Sequence, residues 1–70
     1  MSESKYKIIE LVGSSCVSWE NAAENAIAEA GENLRDLRIA EVVKLDMTID
    51  ENGDIDNYRA RVALSFKYSN

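Results

Sequence analysis

The 70 residues include no histidine, no proline, one cysteine (Cys16), one tryptophan (Trp19) and three glycines. Each shortage closes a route. Without histidine there is no Ser-His or Cys-His nucleophile and no common zinc site. A lone cysteine cannot close an internal disulfide, and without proline there is no proline-rich linker. No stretch approaches the roughly 20 apolar residues needed to span a bilayer. The opening Met1-Ser2-Glu3-Ser4-Lys5 has no apolar run behind a basic segment, as a secretory leader would. A soluble, cytoplasmic chain is the expectation. Positive charge is scarce too: eight basic residues against thirteen acidic ones leave a net charge of −5. Such a chain repels a phosphate backbone, so neither nucleic acid nor membrane is an expected partner.

What is present makes one small domain, residues 1–70, with an ordered core expected over about 5–68. A core of this size rarely leaves more than about 3–5 kcal/mol of net stability, and small chains make up the difference with disulfides, a metal or partner subunits. With one cysteine and no histidine, self-association is the remaining staple.

Lys5–Val12, rich in Ile, Val, Leu and Tyr and followed by Gly13, reads as a strand closed by a turn. From Ser18 the period changes. Trp19, Ala22, Ala23, Ala26, Ile27, Ala30 and Leu34 follow the three-and-four spacing of an apolar helix stripe, with Glu20, Glu24, Glu29 and Glu32 mostly off it. Ser18 suits the N-cap, and Glu20 complements the positive end of the helix dipole. Ile39–Ile49 and Asn57–Tyr68 read as two strands joined through Asn52-Gly53, a strong hairpin signal. A strict two-residue turn there pairs Asp46 with Arg59. The last strand alternates cleanly between apolar and polar residues. The middle one is apolar on both parities (Val42-Val43, Leu45, Met47), as when both sides of a strand meet protein.

The stretch Gly13-Ser14-Ser15-Cys16-Val17-Ser18-Trp19 gathers groups that invite a catalytic reading. Cys16 as a nucleophile would depend on the helix start alone to hold its thiolate. Ser14, Ser15 and Ser18 near a helix N-terminus suit an anion, but also ordinary turn and cap hydroxyls. Trp19 lies on the apolar stripe and reads as packing. The loop from Thr48 through Asp50, Asn52 and Gly53 imitates a calcium-binding EF-hand loop, but Thr48 stands where Asp is wanted and Arg59 where the closing Glu belongs.

The segments "YKIIELVGSSCVSWENAAENAIAEA", "LRIAEVVKLD" and "YRARVALSFKY" together resemble the dodecin family from Lys5 to Tyr68. The marks are Glu10-Leu11-Val12-Gly13-Ser14-Ser15, Ser18-Trp19-Glu20, Glu24-Asn25-Ala26, Glu41-Val42 and Phe66. The resemblance implies an α+β fold: a β1-α-β2-β3 protomer whose three-stranded antiparallel sheet wraps one helix, with twelve copies closing into a hollow homododecamer. It also implies a non-enzymatic binding protein, since flavin-type dodecins hold flavins between subunits.

Departures from the flavin-binding pattern fall at the ligand. Where flavin-type dodecins carry a stacking tryptophan this chain has Ile39, and where they carry a glutamine that bonds the flavin edge it has Arg59. Near Asp46 they often have a basic residue. The pattern resembles the calcium-binding dodecins more closely. The expectation is therefore a shell that binds cations such as calcium through carboxylates, with Asp46 leading and Glu10, Glu41 and Asp50 behind it. Storage of riboflavin or FMN is the alternative. For Asp46 the competing reading is an ion pair with Arg59 across the hairpin.

Overall fold

A computed structural model describes residues 5–68, and the chain runs β1 (Lys5–Ser15), α1 (Trp19–Asn33), β2 (Leu37–Ile49) and β3 (Ile55–Tyr68). The element order and α+β class are as expected. The three strands form one antiparallel sheet in the order β1-β3-β2, with β3 in the middle.

Helix α1 starts where the residues favour it. Ser18 is the N-cap, and its Oγ accepts the Asn21 N–H at 3.0 Å. Ala22, Ala26 and Ala30 recur at helical spacing and are buried against Ala60, Val62 and Leu64 of β3, with Ile9, Leu11, Ile27, Leu34 and Leu37 packed around them. Alanines on the buried stripe let the helix lie close to the sheet.

Gly13 corrects the expected end of the first strand. It is not a turn; β1 continues to Ser15, with Gly13 paired to Ala60. A Cβ there would lie 2.0 Å from the Ala22 carbonyl oxygen and 3.0 Å from the Ala26 Cβ. Gly13 is therefore the point of closest approach between strand and helix, where no side chain fits.

The apolar residues on both parities of β2 also have a local cause. Leu37, Ala40, Val42, Leu45 and Met47 stand opposite Phe66, Leu64, Val62, Ala60 and Tyr58, which places them on the helix side of the sheet. Their uneven spacing reflects pairing irregularities at Arg38 and Val43, each an extra residue on β2 that switches the alternation. The double-parity pattern is thus a bulged strand and not by itself a sign of contact on both faces.

The hairpin differs from a strict two-residue turn. The Gly53 N–H donates to the Asp50 carbonyl at 3.0 Å, the Asp50 N–H donates to the Asp54 carbonyl at 2.8 Å, and Gly53 has φ +84°. Glu51-Asn52-Gly53 is thus a three-residue loop with glycine in the left-handed region, a recognised hairpin type. Asp56 is then an extra residue on β3, between the pairs Ile49–Ile55 and Thr48–Asn57. The longer loop and the extra residue offset each other, so Asp46 still faces Arg59.

The helix covers β1 and β3 and touches β2 little. Val42 and Leu45, on the helix side of β2, remain 50% and 48% exposed. The protomer measures 58 × 20 × 14 Å with a radius of gyration of 14.7 Å, where a compact chain of this length has about 11 Å. Its accessible surface of 5406 Å² exceeds the roughly 4,400 Å² of a compact monomer of 7.8 kDa.

Candidate functional site

β2 and β3 carry Asp46 and Arg59 to the same register position on the sheet face away from the helix, beside Ser14 of β1. The Arg59 Nε donates to Asp46 Oδ1 at 2.7 Å and Nη2 donates to Oδ2 at 2.8 Å, a bidentate pair in which both carboxylate oxygens are used. These hydrogen bonds hold the Asp46 carboxyl below its ordinary pKa, with the charges of Arg59, Arg61 and Lys44 acting in the same direction, and Asp46 in turn raises Arg59. Asp46 and Arg59 side chains are 46% and 44% exposed, so solvent reaches the pair.

On the other side of β2, Trp19 from the first turn of α1 ties the helix to the same strand. Its Nε1–H donates to the Asp46 carbonyl at 2.9 Å, and its ring meets Tyr58 edge-to-face, with centroids 5.1 Å apart and planes at 72°. The half-buried tryptophan also lines a groove with Glu20, Ala23, Glu24, Val42 and Leu45, along the uncovered helix side of β2.

The other candidate carboxylates are apart from this pair. Glu10 and Glu41 both stand opposite Ala63, one on each neighbouring strand, and so share a row on the face away from the helix, about 10 Å apart at the backbone. Glu10 has Arg61 at 3.9 Å. Asp50 is at the hairpin, where its Oδ1 accepts the Asn52 and Asp54 N–H groups, both at 2.9 Å. Among the described residues no three Asp, Glu, Cys or His side chains gather as a metal group. The donor chemistry suits a hard cation such as calcium, but calcium takes six to eight oxygens. The described residues of one chain bring no such set together.

The two positions matched to a flavin site are separated as well. Ile39 faces Ser65 and is 63% exposed, and Ser65 is six residues along β3 from Arg59, about 20 Å. The hollow at Ile39, about 160 Å³, is lined by Ile27, Leu37, Arg38, Ile39, Ala40 and Leu64, with no aromatic ring among them.

The hydroxyls of Ser15 and Ser18, two of the three serines before the helix, are occupied locally. Ser15 Oγ is buried, donates to Asn21 Oδ1 at 2.7 Å and accepts the Val17 N–H at 2.9 Å. Cys16 is exposed on the connection between β1 and α1. Sequence reasoning did not single out the charge of the helix as a whole: α1 carries Glu20, Glu24, Glu29 and Glu32 and no Lys or Arg. The signal was in the composition of Trp19–Asn33, where no cation balances the glutamates.

These features define a small β-α-β-β protein whose single helix leaves an apolar edge strand uncovered, with carboxylates displayed on the opposite sheet face. A family model described as Dodecin matches residues 6–69. The chain belongs to the dodecin family. It is 42% identical over 64 residues to the calcium dodecin of Mycobacterium tuberculosis, covering 91% of this chain and 89% of that one. Among solved structures, the dodecin from Streptomyces coelicolor superposes with a TM-score of 0.92 at 28% identity, covering 100% of this chain and 99% of that one. A calcium dodecin from Mycobacterium tuberculosis, described as calcium-chelating with a novel calcium-binding site, superposes with a TM-score of 0.84 at 41% identity, covering 94% and 93%. No helix among the described residues is long and apolar enough to cross a membrane.

Proposed function

We propose that this chain is the subunit of a non-enzymatic dodecin shell that binds cations, calcium foremost, through carboxylates of the sheet face, in preference to storing flavin. The observation that carries this reading is the hollow at Ile39, whose lining in this chain is aliphatic and offers no aromatic ring on which a flavin would stack. Arg59, at the other flavin-type position, is already bonded to Asp46. The likeness to a calcium dodecin supports the cation side of the reading. Asp46 is the leading ligand, with Glu10, Glu41 and Asp50 as further candidates. Because one chain lacks a complete oxygen set, the remaining ligands come from water or a neighbouring copy.

Assembly belongs to the same reading. Twelve copies enclosing a hollow shell would cover the uncovered helix side of β2 and offset the excess surface of the protomer. The test is the absorption spectrum of the purified protein followed by a calcium titration in a calorimeter. A colourless protein that binds calcium is the expected result. A yellow protein carrying stoichiometric flavin would reverse the order and make flavin storage the function.

A further inference from the structure

We propose that Asn52-Gly53 is a site of spontaneous deamidation and that Asp50 holds the rate down by pinning the loop around it. Neither part depends on which ligand the protein binds. Of the chain's asparagines only Asn52 precedes a glycine. That neighbour matters because the attacking atom is the backbone nitrogen of the next residue, which a side chain would crowd. Gly53 leaves the space open, with nothing within 4 Å of where a Cβ would stand. Asn52 is itself exposed at the hairpin tip, and among the described residues its carboxamide has no hydrogen-bond partner. The side chain is free to turn, and water reaches it.

In the first step the Gly53 nitrogen gives its proton to hydroxide and bonds to Asn52 Cγ, while the Cγ–Nδ2 bond breaks and ammonia leaves with a proton taken from water. A five-membered imide remains. Water then opens the ring at one of its two carbonyls: opening at Cγ leaves an aspartate, and opening at the backbone carbonyl leaves an isoaspartyl link that runs the chain through the side chain. Only water is consumed. Either product adds a carboxylate to a hairpin that already holds Asp50, Glu51, Asp54 and Asp56.

The hairpin resists the first step. The nitrogen that must attack is the one that closes the turn: the Gly53 N–H donates to the Asp50 carbonyl at 3.0 Å, and the imide has no hydrogen there to give. Asp50 Oδ1 adds a second restraint by accepting the Asn52 and Asp54 N–H groups, both at 2.9 Å. Those two groups belong to the peptide units on either side of the Asn52–Gly53 bond. One carboxylate oxygen thus holds the backbone that has to rotate before the Gly53 nitrogen can reach Cγ. Exposed loops open locally at low cost, so this restraint slows the reaction without abolishing it.

The experiment incubates the assembled protein in warm, mildly alkaline buffer and follows the gain of one mass unit, placed by peptide mapping, for wild type, Asp50→Ala, Asp50→Asn and Asn52→Gln. Wild type unfolded in urea gives the unrestrained rate, and circular dichroism establishes that each variant is folded. Wild type should modify at Asn52 before any other asparagine, and more slowly folded than in urea. Asp50→Ala should modify there about tenfold faster than wild type, the order expected when two hydrogen bonds to a carboxylate are lost from an exposed turn. Asp50→Asn keeps an oxygen acceptor and should stay near wild type, and Asn52→Gln should show no gain at this position. Should Asp50→Ala fail to fold, Asp50→Ser, with a weaker acceptor, carries the same comparison and should still modify faster than wild type. A folded wild type that modifies first at another asparagine overturns the site. Equal rates for wild type and Asp50→Ala, or for Asp50→Asn and Asp50→Ala, overturn the role of Asp50.

Discussion

Asp46 and Arg59 face each other across β2 and β3 in a bidentate pair, and the backbone carbonyl of the same aspartate holds the Trp19 indole. One residue thus joins the β2–β3 hairpin to the start of α1, through a bond between residues 27 positions apart in the chain. Removing the carboxylate and removing the indole test different halves of that junction.

The carboxylate half has a pH signature. Arg59 holds Asp46 below its ordinary pKa, so the folded protein binds this proton less readily than the unfolded chain does. The pair's stabilisation is therefore present above the unfolded value, near about 3.9, and is lost as pH falls through the lowered folded value. Thermal melts of wild type and Asp46→Asn should differ most near about pH 6 and converge towards about pH 2. A difference that stays constant across that range would show that the pair contributes nothing through its charge.

The indole half is neutral. Trp19→Phe keeps a ring against Tyr58 but removes the Nε1–H donor to Asp46, and should cost about 1 kcal/mol in urea denaturation of the assembled protein. Trp19→Ala removes ring and donor together and should cost more. If Trp19→Phe matches wild type, the hydrogen bond has no measurable share in stability.

The three glycines predict three different outcomes for alanine. At Gly13 a methyl would lie 2.0 Å from the Ala22 carbonyl, which is backbone and cannot turn aside; the helix must lift, at about 1–3 kcal/mol or more. Gly53→Ala places a side chain at φ +84° in open space, so only the backbone conformation resists, by about 1 kcal/mol. Gly31 is helical and its nearest neighbour, Leu37 Cδ1, is 4.0 Å away, so alanine there should be neutral or stabilising by up to about 1 kcal/mol. Denaturation midpoints of the three variants give the ranking directly.

These junctions show what could be read from the chain beforehand. The alternation of β3 and the alanine stripe of α1 are direct consequences of strand and helix periods, and both elements form where those periods place them. The facing of Asp46 and Arg59 was also legible, but for an incomplete reason. The real hairpin has one more loop residue than a strict Asn52-Gly53 turn, and the extra Asp56 on β3 restores the pairing. Bulges such as those at Arg38 and Val43 leave no mark distinct from a strand that is apolar on both sides. Gly13 signals a turn as readily as a close approach, and only the packed helix tells them apart. The bond from Trp19 to Asp46 joins distant segments through a backbone oxygen, which no side-chain pattern encodes.

Rebuilding the flavin-type positions tests the ligand preference. Ile39→Trp adds an aromatic plane to a wall that has none, and Arg59→Gln replaces an engaged guanidinium with an amide. Within one chain the two positions lie about 20 Å apart, so both can serve one ring only where a neighbouring copy brings the amide to the tryptophan; the double variant should then bind riboflavin about tenfold more tightly than wild type, since an aromatic pair contributes about 0.5–1.5 kcal/mol beyond its buried area and the amide adds hydrogen bonds. Flavin fluorescence quenching measures it. Tight binding by the wild-type protein would show that a ring is held without the tryptophan.

The final prediction concerns why the chain should not persist alone. Val42 and Leu45 face the helix side of the sheet, yet α1 lies over β1 and β3 and leaves both about half exposed. With Trp19 and Ala23 they line one apolar groove. A monomer would keep that groove in water, and a 70-residue core has little stability to spare for it. A neighbouring copy seated on the groove would bury it, at roughly 25 cal/mol for each Å² of apolar surface removed. Leu45→Asp puts a charge into this surface, so it should block assembly and lower the melting temperature, whereas Glu51→Lys, at the exposed hairpin, should leave both nearly unchanged. Sedimentation velocity separates the outcomes. A wild-type protein that sediments as a stable folded monomer at micromolar concentration, or a Leu45→Asp variant that assembles like wild type, would show that this groove is not where copies meet.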